Sequence, residues 1–144
     1  VNRALRLLPL AAVALLSACS SAAPASPAAA PAPDPSPTVL PACTKLPEPV
    51  LPHSAGELTQ QQSGAYCLPR GQRVDIFLTA AHSGDTWQPV QATGAILAPA
   101  NTGVMTAPLG VTPAMFVGTT DGTSVLTSAA PSGKTWKVTI VVKG

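Results

Sequence analysis

Between residues 73 and 79 apolar and polar positions alternate. Val74, Ile76 and Leu78 fall on one side of an extended chain, and Arg73, Asp75 and Phe77 on the other. The same two-residue period returns near the end, where Trp136, Val138, Ile140 and Val142 alternate with Thr135, Lys137, Thr139 and Val141. A period of two marks a strand with one buried face, because successive side chains of extended backbone point to opposite sides. The two segments therefore predict paired walls of one core. Weaker strands are predicted at residues 66–68, 87–91, 95–98, 114–118 and 123–128. Turn sequences separate them: Pro-Arg-Gly, Ser-Gly-Asp, Asn-Thr-Gly, Asp-Gly and Ser-Gly. No stretch after Cys43 sustains a helical period, so the expected class is all-β, a small antiparallel sandwich.

The first residues follow a different pattern. Arg3 and Arg6 precede an apolar run from Leu7 to Leu16, which exits through the small residues Ser17 and Ala18. That is the layout of a secretory signal peptide, assigned to residues 1–18. The run is about half the roughly 20 apolar residues that a bilayer-spanning helix needs, and Pro9 interrupts it. Leu16, Ser17, Ala18 and Cys19 resemble the lipobox of bacterial lipoproteins, a Leu, two small residues and a Cys. The resemblance implies cleavage before Cys19, lipid on its thiol, and a protein facing out of the cytoplasm on a cell membrane. Each buried methylene contributes about 0.8 kcal/mol, so two or more acyl chains anchor firmly where one would not.

Residues 19–42 comprise that cysteine and an Ala, Pro and Ser-rich stretch without apolar periodicity, expected to be a disordered linker. Proline at this density favours polyproline II at about 3.1 Å per residue, a reach of roughly 70 Å. The folded domain is then residues 43–144. Dividing the chain this way also changes its charge. The formal net charge of +2 comes from Arg3 and Arg6, and the other basic residues are matched by six acidic ones. A nearly neutral domain without clustered Lys and Arg lacks the electrostatic footprint of nucleic-acid binding.

Residues 116–128, followed by residues 136–142, resemble the closing strands of bacterial Ig-like domains, which implies an Ig-like order of strands. Once Cys19 carries lipid, Cys43 and Cys67 remain as an even pair in an exported chain and are expected to form a disulfide. The chain-entropy model values such a loop at about 3 to 4 kcal/mol. The bridge would tie the region 45–62, expected to be irregular, to the first strand.

Catalysis would need a nucleophile, base and orienting group together. His53 and His82 are the only imidazoles, both expected in loops, and the six acidic residues are scattered singly. No Gly-x-Ser-x-Gly elbow, His-Glu-x-x-His or phosphate loop is present. The chain is read as non-enzymatic, with no catalytic residue and no cofactor. Residues 66–71 are similar to the cysteine loop of cupredoxins, which implies a copper set of Cys67, His82, Met105 and Met115. In that family a His and a Met closely follow the Cys, whereas here the strand 73–79 does, so no metal is expected. Trp87 and Trp136 are read as core residues rather than glycan platforms.

Residues 71–78, with the polar loop ending in Trp87, are similar to chagasin-type cysteine protease inhibitors. The resemblance implies an Ig-like sandwich with inhibitory loops at residues 81–87 and 130–136. Those inhibitors carry Asn-Pro-Thr-Thr-Gly-Tyr and Arg-Pro-Trp motifs in these loops, and this chain keeps only the Gly and Trp. The function expected is therefore a membrane-anchored, non-enzymatic binding module for an envelope or extracellular protein or glycan. A chagasin-like protease inhibitor is the alternative.

Overall fold

The alternation at residues 73–79 and 135–143 places one strand in each of two facing sheets. The computed structural model describes residues 31–34, 36–100 and 107–144. Residues 1–18, read from the sequence as a signal peptide, Cys19 and Met105 lie outside the described residues. Nine strands follow in chain order: β1 (Thr44–Lys45), β2 (Gly56–Thr59), β3 (Gly64–Pro69), β4 (Arg73–Thr79), β5 (Gln91–Ala92), β6 (Leu97–Pro99), β7 (Val111–Gly118), β8 (Gly122–Ala129) and β9 (Thr135–Lys143). One sheet has the order β1-β3-β9-β8-β5 and the other β2-β4-β7-β6. No helix occurs among the described residues, and none there is long and apolar enough to cross a membrane.

The sequence β4-β7-β6 in one sheet and β9-β8-β5 in the other matches the B-E-D and G-F-C orders of Ig-like sandwiches. The sheets are mixed, however, not antiparallel as expected. β1 pairs with β3, β2 with β4, and β3 with β9, all in parallel. The cause is the path of the chain: β2 and β3 are consecutive but lie in different sheets, as do β3 and β4. Crossing between layers brings the next-nearest pairs β1–β3 and β2–β4 side by side in the same direction, where hairpins would have reversed them, and sets β3 beside the last strand rather than a sequence neighbour.

The core is what the alternation predicts. Val74, Ile76 and Leu78 of β4 and Trp136, Val138, Ile140 and Val142 of β9 are buried, with Leu58, Leu68, Phe116 and Leu126 between them. Each such side chain contributes about 1.5 to 3 kcal/mol by leaving water. Where β7 meets β9 the layers approach closely. A Cβ on Gly118 would lie 2.8 Å from a Val142 methyl and 3.4 Å from Leu68 Cδ2, so only glycine fits without displacement.

Three other expectations change. The region 45–62 contains β2, whose Leu58 is fully buried. Four residues are too short a stretch to show their period against a proline-rich background. The segment 87–91 is not a strand, apart from its last residue. Trp87 and Val90 point inward, but Pro89 has no N–H for a ladder. This segment is held instead by the Thr112 hydroxyl donating to the Trp87 carbonyl (2.9 Å), the Ser128 hydroxyl donating to the Gln88 carbonyl (2.6 Å), and the Gln88 N–H donating to the Ala129 carbonyl (2.8 Å). The inward-facing Ser128 of β8 thus supplies a donor where a neighbouring strand would have.

Asp75 is the third. It lies on the outward side of β4 with Arg73 and Phe77, yet it is fully buried. Arg73 Nε donates to Asp75 Oδ1 (2.7 Å) and Nη2 to Oδ2 (3.2 Å), while Nη2 also donates to the Pro52 carbonyl (3.0 Å). Met115, itself buried, stands directly opposite Asp75 on β7. The charge pair thus fastens the loop ahead of β2 to the sheet.

Candidate functional site

Strand direction decides which loops meet. β2, β4 and β8 finish at the same end of the sandwich at which β3, β7 and β9 begin. Four connections gather there: residues 60–63, 80–90, the described part 107–110 of the connection before β7, and 130–134. Each is built as a tight turn. The Asp85 N–H donates to the His82 carbonyl (3.2 Å), with Gly84 at φ 87°. The Val111 N–H donates to the Pro108 carbonyl (3.1 Å), with Gly110 at φ 79°. The Gly133 N–H donates to the Ala130 carbonyl (2.9 Å), with φ 83° at Gly133 itself. Positive φ is accessible to glycine without a Cβ clash, which explains glycine in these turns.

The turns are tied to one another at their roots. The Ala80 N–H donates to the Gly110 carbonyl (2.8 Å), and the Thr79 N–H to Gln60 Oε1 (2.9 Å). The two tryptophans serve as struts: the Trp87 indole N–H donates to the Thr79 carbonyl and that of Trp136 to the Gln62 carbonyl, both at 3.1 Å. Both rings are buried, so they brace the loops from below. Between the loops lies a cavity of about 290 Å³ lined by Gln60, His82, Asp85, Trp87, Pro131 and Lys134, among others. Beside it Leu109 is fully exposed.

The stretches 81–87 and 130–136, singled out in the sequence, therefore stand side by side and share this cavity. Sequence reasoning missed Leu109 and the Gln60–Gln61 wall. The signal for Leu109 was present in Pro108-Leu109-Gly110, since a large aliphatic residue has no packing reason to occupy a turn. His53 lies at the other end, before β2, with φ 60° and an exposed side chain. The seven residues of β4 separate that end from His82, roughly 20 Å of extended chain. The two imidazoles do not share a site.

Cys43 and Cys67 are joined in a disulfide with a Cα–Cα distance of 5.1 Å. It lies on the outer side of β3, opposite Val141 of β9. Of the copper set, Cys67 is thus bonded to Cys43 and sits in one sheet, Met115 in the other, and His82 in the loop end. Among the described residues no three His, Cys, Asp or Glu side chains are grouped to hold a metal ion.

No family model matches the chain, and no curated protein matches it. Among solved structures it is similar to a cysteine protease inhibitor from Entamoeba histolytica, at 14% identity and a TM-score of 0.48, covering 60% of this chain and 93% of that one. It is also similar to amebosin, at 14% identity and a TM-score of 0.39, covering 60% of this chain and 96% of that one.

Proposed function

We propose that this chain is a non-enzymatic, membrane-tethered domain that binds a protein through its loop end, and that it acts as an inhibitor of papain-like cysteine proteases. The observation that carries the reading is the convergence of residues 82–85, 107–110 and 130–134 on one end, with Leu109 exposed beside them. Leu109 supplies one apolar side chain on this end that a partner would cover, beside turns whose arrangement is fixed by hydrogen bonds. Loops on a rigid sheet framework suit insertion into a partner's cleft, because their ordering is complete before binding. The two loops that the chagasin resemblance implicates are the ones brought together.

Titrating the domain against a papain-like protease tests the inhibitor reading. Reversible loss of protease activity is expected, weakened at least tenfold by Leu109→Ser, with no change in the thermal stability of the domain. No inhibition at micromolar concentration removes this reading. Because the inhibitory sequence motifs are replaced here, a loop end that binds another envelope or extracellular protein is the second reading. Crosslinking from intact cells through position 109 would then capture a partner that is not a protease.

Anchoring rests on the four residues ending at Cys19. Cys19→Ala is expected to move the protein from the membrane fraction to the soluble one without altering the melting of the sandwich. Normal membrane attachment of that variant would refute it.

A further inference from the structure

The place where the Pro-rich segment joins the sandwich is unusual in its connectivity. Among residues 36–42 no strand forms, and β1, which follows Cys43, is held by little: two residue pairs, Thr44 with Tyr66 and Lys45 with Cys67, and the Thr44 hydroxyl donating to the Ala65 carbonyl (3.1 Å). Peptide bonds lead from there to β2, a four-residue edge strand, through a stretch in which Leu46 is buried in the core and the Pro47 carbonyl accepts from the Glu57 N–H (3.3 Å), while Glu48, Val50 and His53 are exposed. A pull applied along this route would meet the short ladders of β1 and β2, two and four residue pairs, and between them the core side chain Leu46, before any longer ladder.

The disulfide offers a second covalent route. Cys43 is bonded directly to Cys67, in β3, and all six residues of β3 pair with β9. β9 in turn pairs with β8 over eight residue pairs, and its residue opposite Cys67, Val141, is fully buried. One atom-to-atom step therefore leads from Cys43, directly after the Pro-rich segment, into the most extensively paired part of the fold. Residues 44–66, which include β2 and the first half of β3, are enclosed in the loop that this bond closes.

We propose that the Cys43–Cys67 disulfide is the mechanical joint between the tether and the sandwich, transferring tension past β1 and β2 into the β3–β9 ladder. A domain anchored through Cys43 and bound to a partner at its loops experiences tension whenever the partner moves. With the joint closed, that tension enters β3 next to β9, the strand that leads directly from the 130–134 loop. With the joint open, the same tension strips β1 and then β2 away, uncovering Leu58 and the lower core. The proposal rests on reading residues 19–42 as a tether, although the pulling behaviour itself does not depend on the lipid.

Single-molecule pulling of the chain from residue 19 onward, between handles at its two termini, tests it. The oxidised protein is expected to yield in one high-force event. The same molecules reduced after folding are expected to show an additional, earlier event at lower force. Freeing the 24-residue separation between the cysteines should lengthen the total extension by about 80 Å. Refolded Cys43→Ser/Cys67→Ser protein provides the second comparison. A reduced chain that yields in a single event at the oxidised force overturns the proposal, since β1 and β2 would then carry the tension unaided. Loss of every rupture event on reduction also overturns it, because the bridge would then be a folding requirement rather than a joint. Failure of Cys19→Ala to release the protein would refute the anchor and leave these traces unchanged, so the two ideas fail separately.

Discussion

Replacing Arg73 and Asp75 singly and together gives a sharp test of how the outward face of β4 is built. Asp75 has no exposed side-chain surface, and the Arg73 side chain is 16% exposed. Arg73→Met leaves a buried carboxylate opposite Met115 with neither of its guanidinium donors. Removing one partner of a buried pair costs about 3 to 5 kcal/mol, and we expect about 3 kcal/mol here. Asp75→Leu is milder, because the guanidinium retains the Pro52 carbonyl and has a path to water along its aliphatic stem. About 2 kcal/mol is expected. In the double variant no charge remains, and Leu packs against Met115. What is then lost is chiefly the charged hydrogen bond to Pro52, about 2 kcal/mol.

The singles therefore sum to about 5 kcal/mol and the double costs about 2, a coupling of about 3 kcal/mol. These are large fractions of the roughly 5 to 15 kcal/mol that holds a domain of this size together. Urea unfolding followed by tryptophan emission measures all three, since Trp87, in the 80–90 connection, and Trp136, in β9, are both buried and report the core. Equal slopes with shifted midpoints are required for the comparison. If the two single losses simply add in the double variant, the pair is two independent surface groups and the account of Asp75 as a buried, singly partnered carboxylate is wrong.

Other substitutions probe the remaining tight points. Gly118→Ala is expected to cost about 1 to 3 kcal/mol by overpacking, because the added methyl meets Val142 and Leu68 across the core; a midpoint within error of the parent in urea would contradict the close approach of the sheets. His53 sits at φ 60°, so His53→Val should destabilise by about 1 to 2 kcal/mol while His53→Gly is tolerated. Calorimetry that ranked the two the other way would show that this turn relaxes. Reducing Cys43–Cys67 should lower the unfolding free energy by about 3 to 4 kcal/mol for a separation of 24 residues, read from urea melts with and without a phosphine reductant.

What the sequence disclosed and what it hid follow from what periodicity can encode. The alternation in β4 and β9 predicted the inward residues of both, because a buried face imposes its period on the strand itself. It carried no information about neighbours. Nothing in Gly64–Pro69 says that it lies parallel to Val138–Lys143, since that depends on the chain crossing between sheets twice before β4. Asp75 was placed on the correct side of its strand but in the wrong environment, because burial on an outward face depends on Arg73, two residues away, and Met115, forty residues away. The loop end was half visible: turns announce themselves through glycine, while their convergence is a property of strand direction.

Those same non-local features bear on where a partner can bind. Each sheet has an outward face on which a structural group is already placed. The disulfide lies over Val141 on one, and the Arg73–Asp75 pair beside Met115 on the other. Disturbing either face to make room for a partner would expose a buried valine or separate a buried charge pair, at a cost of several kcal/mol. The loop end carries no such cost. Several of its turns are closed by backbone hydrogen bonds, its two indoles are bonded below the surface, and its exposed leucine gains by being covered. Binding there leaves the sandwich unchanged, so affinity at the loops and stability of the core can vary independently. A Leu109 variant that lost partner binding and melted at a lower temperature would show instead that the loop end and the core are coupled, and that Leu109 is held in place by packing.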